Sequence, residues 1–271
     1  MTSTLVSGPP DTTDLPTRVS LADTVSQTLT LAWRATVKMR RSLEVMFDVT
    51  IQPLVFTAMF AYIFGGAISG DVESYLPLII PGLIGQTVLT ACVATGVQLR
   101  TDLDSGVFDR FKVLPIARIA PLAGPMVADM LRYFIAAVLT FTVGVLIGYR
   151  PGGGFAGVAG AVLLAVVAGW SLAWIFTFFG LVGRNAQAVQ GISLLVMFPL
   201  TFLSNAFVPT ETMPGPLRAF AEVNPVSLVI TALRDLANDG QVTGAVGWAL
   251  LGCAVVVAVF APLSVRRFKR M

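Results

Sequence analysis

Long apolar runs alternate with short polar segments along this chain, and the runs have the length of a bilayer crossing. A spanning helix needs about 20 apolar residues to cover roughly 30 Å of hydrocarbon. Six segments qualify: residues 48–66, 76–99, 120–148, 157–182, 191–208 and 242–265. The fifth is the least regular, with Pro199 inside it and Pro209 at its end. Proline is tolerated in a spanning helix where neighbours satisfy the carbonyl it frees. Along the fourth run Gly157, Ala161, Ala165, Gly169, Ala173 and Thr177 recur every four residues. Small residues let backbones approach closely in lipid. Each four-residue step drifts by about 40°, so the stripe winds around the helix and serves more than one neighbour. No internal repeat is visible, which leaves the inverted-repeat design of many secondary transporters without support.

Ahead of the first run, residues 21–43 carry a helical period. Leu21, Val25, Leu29, Trp33 and Val37 fill one half of the wheel, and Asp23, Gln27, Arg34, Lys38 and Arg41 fill the other. Leu31 and Arg40 break the pattern. A basic face opposite a Trp-bearing apolar face describes a helix lying in the inner headgroup layer. A helix packed only on protein is the alternative.

Composition agrees with lipid as the solvent. Hydrophobic residues make up 55% of the 271 and charged residues only 12%, with a mean hydropathy of +0.81. A soluble domain carries about 25% charge, so too little polar material is present to coat a globule. Histidine is absent, which removes histidine bases, histidine metal sites and catalytic triads. Lys38, Lys112 and Lys269 each follow a bulky apolar residue, so the Gly-Lys-Ser/Thr core of a phosphate-binding loop is missing. Any ATP must be bound by another chain. Cys92 and Cys253 lie in apolar runs and read as small buried hydrophobes. No metal site, catalytic residue or nucleic-acid surface is expected.

Charge position sets the threading. With the N-terminus inside, the inner segments hold Arg18, Arg34, Lys38, Arg40, Arg41, Arg100, Arg110, Lys112, Arg118, Arg184, Arg266, Arg267, Lys269 and Arg270. The outer segments hold only Arg150, Arg218 and Arg234, and Arg132 falls within a span. By the positive-inside rule both termini face the cytoplasm. The first 18 residues lack the apolar core of a cleavable signal and read as a disordered cytoplasmic tail.

Several segments could carry function. The inner loop after the second span has acids at Asp102, Asp104 and Asp109, bases at Arg110 and Lys112, and Phe108 and Phe111 three apart. Asp104 or Ser105 can cap a short helix there. Such a helix offers an apolar knob ringed by both signs of charge, suited to a soluble partner's groove; a solvated loop is the alternative. The outer segment from Pro209 to Asp239 has helix starts at Thr210 or Thr212 with Pro214 and Pro216, and a stop at Asn224-Pro225. Its apolar content suits two short helices dipping into the outer leaflet as a lid, or simple surface helices. Asp129 and Arg132 share a helix face in the third span. They either line a cytoplasmic entrance for cargo or form an ion pair tying that span to the interfacial helix. Gln86, Thr87, Thr90, Thr95 and Gln98 share half of the second span and line a cleft or bond across a dimer interface. Met197, Phe198 and Phe202 offer soft apolar surface to a cavity or to the core.

The run Asp104-Ser-Gly-Val-Phe-Asp-Arg-Phe-Lys-Val-Leu-Pro-Ile-Ala-Arg118 resembles the coupling-helix loop of type-2 ATP-binding-cassette (ABC) transporter permeases. Met197-Phe-Pro-Leu-Thr-Phe-Leu-Ser-Asn-Ala-Phe-Val-Pro209, with Asn224-Pro225, resembles that family's fifth span and outer re-entrant hairpin. The likeness runs from about Trp33 to the C-terminus and is greatest to daunorubicin-resistance-type drug-efflux permeases of actinobacteria. One departure is Asp102-Leu-Asp104, where related loops begin Glu-Lys/Arg-Glu. The resemblance implies a homodimeric or heterodimeric permease bound to two ABC ATPase subunits that hold ATP and Mg, each receiving a coupling helix.

The expectation is therefore an all-α, multi-pass protein of the bacterial plasma membrane with six transmembrane helices. Residues 1–18 form a cytoplasmic tail, 19–47 an amphipathic interfacial helix, 48–265 the transmembrane domain and 266–271 a basic cytoplasmic tail. Asp102, Asp104, Ser105, Gly106, Val107, Phe108, Asp109, Arg110, Phe111 and Lys112 couple to the ATPase. Gln86, Thr90, Asp129, Arg132, Met197, Phe198 and Phe202 are the cargo-path candidates. Asn205, Pro209, Glu211, Pro214, Asn224 and Pro225 form the extracellular gate. The function expected is export of lipophilic drug-like or lipid cargo. A polysaccharide or glycolipid exporter, or a membrane scaffold without transport, is the alternative.

Overall fold

The computed structural model describes residues 20–41, 43–108, 116–117 and 119–271, and every regular element among them is helical. In chain order these are α1 (Leu21–Arg41), α2 (Leu43–Ser69), α3 (Val72–Asp104), α4 (Ala120–Ile147), α5 (Gly154–Val182) and α6 (Ala186–Phe202). Then come a 3-10 turn (Thr210–Thr212), α7 (Gly215–Val223), α8 (Pro225–Arg234) with a π-helical extension (Asp235–Asp239), and α9 (Gly244–Lys269). The expected tail and Asp109–Lys112 lie outside the described residues.

Helix starts follow local chemistry. Asp71 caps α3 by accepting from the Ser74 amide at 2.7 Å and the Ser74 hydroxyl at 2.8 Å, which holds its carboxyl below the usual carboxylate range. Asn185 caps α6 through the Ala188 amide at 2.8 Å, and Thr243 caps α9. Asn224 ends α7 and caps α8, with Pro225 in the first turn.

α3, α4, α5 and α9 are long and apolar enough to cross a membrane. The other two expected spans correspond to shorter apolar helices, Thr50–Gly66 and Ala186–Phe202. Seventeen helical residues reach only about 25 Å. α6 departs most from expectation, starting at Ala186 and stopping at Phe202 rather than running on to residue 208. Its last carbonyls are capped from outside, as Asn224 Nδ2 donates to Leu200 O at 2.9 Å and to Leu203 O at 3.1 Å. α2 begins at Leu43, ahead of the residue 48 boundary read from hydropathy.

α3 is the central strut, packed on α2, α4, α5, α6 and α8. Leu76, Ile79, Ile80, Leu83, Ile84 and Leu89 on it are fully buried. α9 by contrast packs chiefly on α5 and α8, with most of its apolar surface exposed. The small-residue stripe of α5 does meet several neighbours. Gly157 lies against the Leu236 carbonyl, Gly169 against the Tyr133 ring and Val88, and Thr177 against Met126. The crossing of α3 and α5 is also backbone to backbone, where Gly96 abuts the Phe176 carbonyl and Gly180 abuts the Gly96 carbonyl.

α1 packs through one side of its wheel. Leu31, which breaks the apolar pattern, packs against Gly124 at the start of α4, and Gln27 accepts from the Ala117 amide at 2.7 Å. Val25, Leu29 and Trp33 face away from the protein, with Trp33 68% exposed. One face thus holds α4 while the Trp-bearing face is exposed.

A side chain at Gly96 must push α3 off α5. Gly96→Val is expected to cost about 1–3 kcal/mol, read as earlier loss of the monodisperse peak in a detergent heating series. Gly191→Val, at a position where a Cβ would meet nothing within 4 Å, should leave the series unchanged.

Candidate functional site

Three regions carry the chemistry expected of the sequence. The first is the turn that ends α3. Arg100 and Asp104 pair one helical turn apart, with Nε 2.9 Å from the carboxylate, and Lys38 of α1 reaches Asp102 at 3.0 Å. Gln98 donates to the same Asp102 oxygen at 3.0 Å, and the Ser105 hydroxyl donates to the Asp102 carbonyl at 2.9 Å. Gly106 then takes φ +71°, a conformation that favours glycine, and Val107 and Phe108 resume helical geometry. The acids of Asp102-Leu-Asp104 are thus held inside this chain. Phe108 corrects an expectation: it is not presented outward but buried at 6% exposure, edge-on to Phe268 of α9 at 5.5 Å. The left-handed Gly106 directs it back onto the end of α9, a turn that helical spacing alone cannot reveal. Lys38, Asp102 and Phe268 therefore gather α1, α3 and the end of α9 at one end of the bundle.

The second region sits deeper. Asp129 and Arg132 of α4 form an ion pair at 3.2 Å. The Thr95 hydroxyl donates to Asp129 at 2.6 Å, and Arg132 donates to Thr95 Oγ1 at 2.8 Å and to the Ala91 carbonyl at 2.6 Å. Tyr133 Oη lies 3.0 Å from the same threonine oxygen. The pair ties α4 to α3 rather than to the interfacial helix, because Thr95 and Ala91 supply the extra partners that a buried charge requires. It borders a cavity of about 140 Å³ that Lys38, Asp102, Gln98, Leu122 and Met126 also line.

The remaining cargo-path candidates divide between a seam and a surface. Thr90 Oγ1 lies 3.9 Å from Met197 Sδ and donates to the Gln86 carbonyl, bringing Gln86, Thr90 and Met197 together where α3 meets α6. Val189, Ser193, Met197 and Thr201 form the buried face of α6. Gln86 Oε1, Ser193 Oγ and Thr201 Oγ1 are buried with no hydrogen-bond partner among the described residues. Phe198 and Phe202, about half exposed, lie on the outer side of α6 and join an aromatic array. Phe56, Phe60 and Phe64 stack along α2, Phe60 stacks on Phe207 at 4.9 Å, Phe207 meets Phe202 at 5.6 Å, and Phe202 stacks on Phe198 at 5.6 Å. The interplanar angles run from 19° to 32°. Beside the array lies a pocket of about 360 Å³, walled by Phe60, Phe64, Tyr75, Phe202, Phe207 and Leu217.

The third region is the hairpin of α7 and α8. Asn205 and Asn224 are buried and bonded: Asn205 Nδ2 to Thr231 Oγ1 at 2.8 Å, Asn224 to the end of α6. Glu211 and Pro214 are exposed, while Pro209 and Pro225 are partly buried where helical turns begin. Sequence reasoning missed Arg234 and Asn238. Arg234 donates to the Leu78 carbonyl at 3.0 and 3.2 Å and to the Asn205 carbonyl, and Asn238 donates to the Pro77 carbonyl at 3.0 Å. For Asn238 the signal was available in Pro81 of α3, which leaves the Pro77 carbonyl without its helical donor; for Arg234 no local signal existed.

Removing one partner of the Asp129–Arg132 pair leaves the other charge buried. Asp129→Asn is expected to lose about 3–5 kcal/mol, whereas the paired change Asp129→Leu with Arg132→Met should recover most of that loss. Denaturant titration of the purified protein in detergent checks both. Equal losses in the single and double variants would contradict a closed pair.

Comparison with known proteins identifies the family. The chain is 43% identical over 252 residues to the daunorubicin resistance ABC transporter permease protein DrrB1 of Streptomyces coeruleorubidus, covering 93% of this chain and 89% of that one. It is 25% identical to the probable doxorubicin resistance ABC transporter permease protein DrrC of Mycobacterium tuberculosis, over 90% of this chain and 89% of the relative. It is 23% identical to the inner membrane transport permease YadH of Escherichia coli K12, over 73% and 78% of the two chains. Residues 26–237 match the family model of the ABC-2 type transporter. With its apolar helices, that match makes the chain an integral membrane protein and a member of the ABC-2 type transporter family.

Proposed function

We propose that this chain is the permease subunit of an ABC exporter that moves lipophilic, drug-like or lipid molecules out of the cell. It performs no covalent chemistry. Its partner subunits bind ATP and Mg, since this sequence has no phosphate-binding loop. Two permease copies, most simply a homodimer, meet two ATPases. On this reading the shorter apolar helices of α2 and α6 join the four long ones as six spans, and the lysine and arginine distribution supports termini in the cytoplasm.

The observation that carries the cargo class is the run of six phenylalanine rings from α2, α6 and the turn after α6. Such rings offer broad apolar faces and few hydrogen-bonding groups, which suits a lipophilic molecule better than a glycan. The relatives' names, which speak of daunorubicin and doxorubicin resistance, support the same class. Gln86, Thr90 and Met197 lie one helix face away. Their seam includes polar atoms without partners, as expected of a surface that exchanges neighbours during transport.

Energy enters at the other end. ATP binding draws the two ATPases together and moves the turn around Gly106 on each permease. Asp102, Asp104, Ser105 and Val107 with the segment Asp109–Lys112 form the partner-facing surface, and Phe108 anchors it to α9. Because α3 begins beside the outer hairpin and ends at this turn, a push there reaches the gate residues Asn205, Pro209, Glu211, Pro214, Asn224 and Pro225. The work is differential binding of cargo by inward and outward states.

Two measurements test this. Arg110→Glu with Lys112→Glu should cut recovery of the partner ATPase on affinity purification by about tenfold, roughly 1.4 kcal/mol of docking energy; unchanged recovery removes the coupling assignment. Phe198→Ala with Phe202→Ala should raise the half-maximal concentration for cargo-stimulated ATP hydrolysis by about threefold to tenfold and leave ATPase recovery intact. No change would take these rings off the cargo path.

A further inference from the structure

Pro81 has no amide hydrogen, so the Pro77 carbonyl loses its helical donor inside α3. In lipid that carbonyl needs a partner from elsewhere. Asn238 fills it at 3.0 Å from the π-helical segment after α8, and Tyr149 Oη, at the end of α4, fixes Asn238 by donating to its Oδ1 at 2.5 Å. One residue along α3, Leu78 O accepts from both Nε and a terminal nitrogen of Arg234. The same terminal nitrogen reaches the Asn205 carbonyl and, at 3.4 Å, the Ala206 carbonyl in the turn after α6. Gly82 lies against Ala206, so α3 and that turn touch backbone to backbone.

We propose that Arg234, supported by Asn238, is a latch that holds the proline-bearing end of α3, the turn after α6 and α8 together, and that its release precedes opening on that side. Four of its bonds tie α8 to two elements that are distant in sequence, and all end on backbone carbonyls. The planar, five-donor guanidinium can bridge these acceptors at once, and an ammonium cannot match that geometry. Carbonyl partners also make the latch reversible. Each released carbonyl can find water once the end opens, whereas a carboxylate would hold the arginine in place. The π-helical segment after Arg234 is a form of backbone that recurs at moving sites, and Gly240 closes it at φ +66°. As a positioning residue Arg234 sets when the gate opens and need not touch cargo. The latch rests on the outer placement of the hairpin proposed above.

The test uses the purified permease–ATPase complex with Ser204→Cys as a reporter, because Ser204 sits in the latched turn at 2% exposure and native Cys92 and Cys253 are buried. Arg234→Gln should speed maleimide labelling of that cysteine by about fivefold or more, the lower end of usual coupling. Arg234→Lys should fall between, and Asn238→Ala should act in the same direction. If Arg234→Gln does not accumulate, Arg234→Lys and Asn238→Ala carry the comparison. Pro81→Ala restores the helical donor, so in that background Asn238→Ala should lose most of its effect. Labelling at the parental rate in folded Arg234 and Asn238 variants, or an equal Asn238→Ala effect with and without Pro81, overturns the latch. Placement is tested separately with Ala219→Cys on α7 and an impermeant maleimide on intact cells. No labelling there rejects the outer assignment and leaves the rate comparison in detergent to judge the latch.

Discussion

Water cannot rescue a carbonyl in the middle of a bilayer, and α3, the helix on which this protein is built, carries two prolines. Every backbone group lost to Pro77 and Pro81 has to be satisfied by protein. The segment after α6 meets part of that demand, since Asn238 donates to the carbonyl that Pro81 frees. It folds back as two short helices, of which α8 packs on α3, α5 and α9. Asn224 reaches carbonyls at the end of α6, and Arg234 adds bonds to Leu78 O and to the turn after α6. The same constraint stops α6 at Phe202, since Asn224 occupies the carbonyls through which a longer helix would continue.

Between its ends α3 is gripped rather than hinged. Gly96 and Gly180 bring its backbone against α5, and the Asp129–Arg132 pair clasps Thr95 and Ala91 from α4. Packed interfaces of this kind switch between discrete arrangements rather than deforming smoothly. On the proposed function a displacement at Gly106 is therefore passed along the helix instead of being absorbed in it. Its bonds to charged side chains lie at the two ends and around Thr95.

Much of this was legible in the sequence, and the failures share a cause. Hydropathy located the apolar helices because burial in lipid is a property of whole segments. The small-residue stripe of α5 announced close packing because only backbone approach needs it. The stop at Asn224-Pro225 was readable because it is local chemistry. What periodicity could not give is the direction taken after a turn. Phe108 looked like a partner-facing knob, but one left-handed glycine sends it onto Phe268. Leu31 looked like an error in the α1 wheel, yet it is the contact with Gly124. Arg234 passed as an ordinary loop charge, since nothing nearby in sequence names its acceptors. They lie 28, 29 and 156 residues away.

The claim on which the account turns is that the two ends of α3 move together when the partner ATPase binds nucleotide. Spin labels at Leu146→Cys, at the end of α4, and Ala219→Cys, on α7, would report it in permease diluted with unlabelled copies and reconstituted with its ATPase. The account predicts that the distance distribution shifts when a non-hydrolysable ATP analogue is added, although nucleotide binds at the opposite end of the bundle. A distribution that stays fixed with nucleotide bound would contradict it.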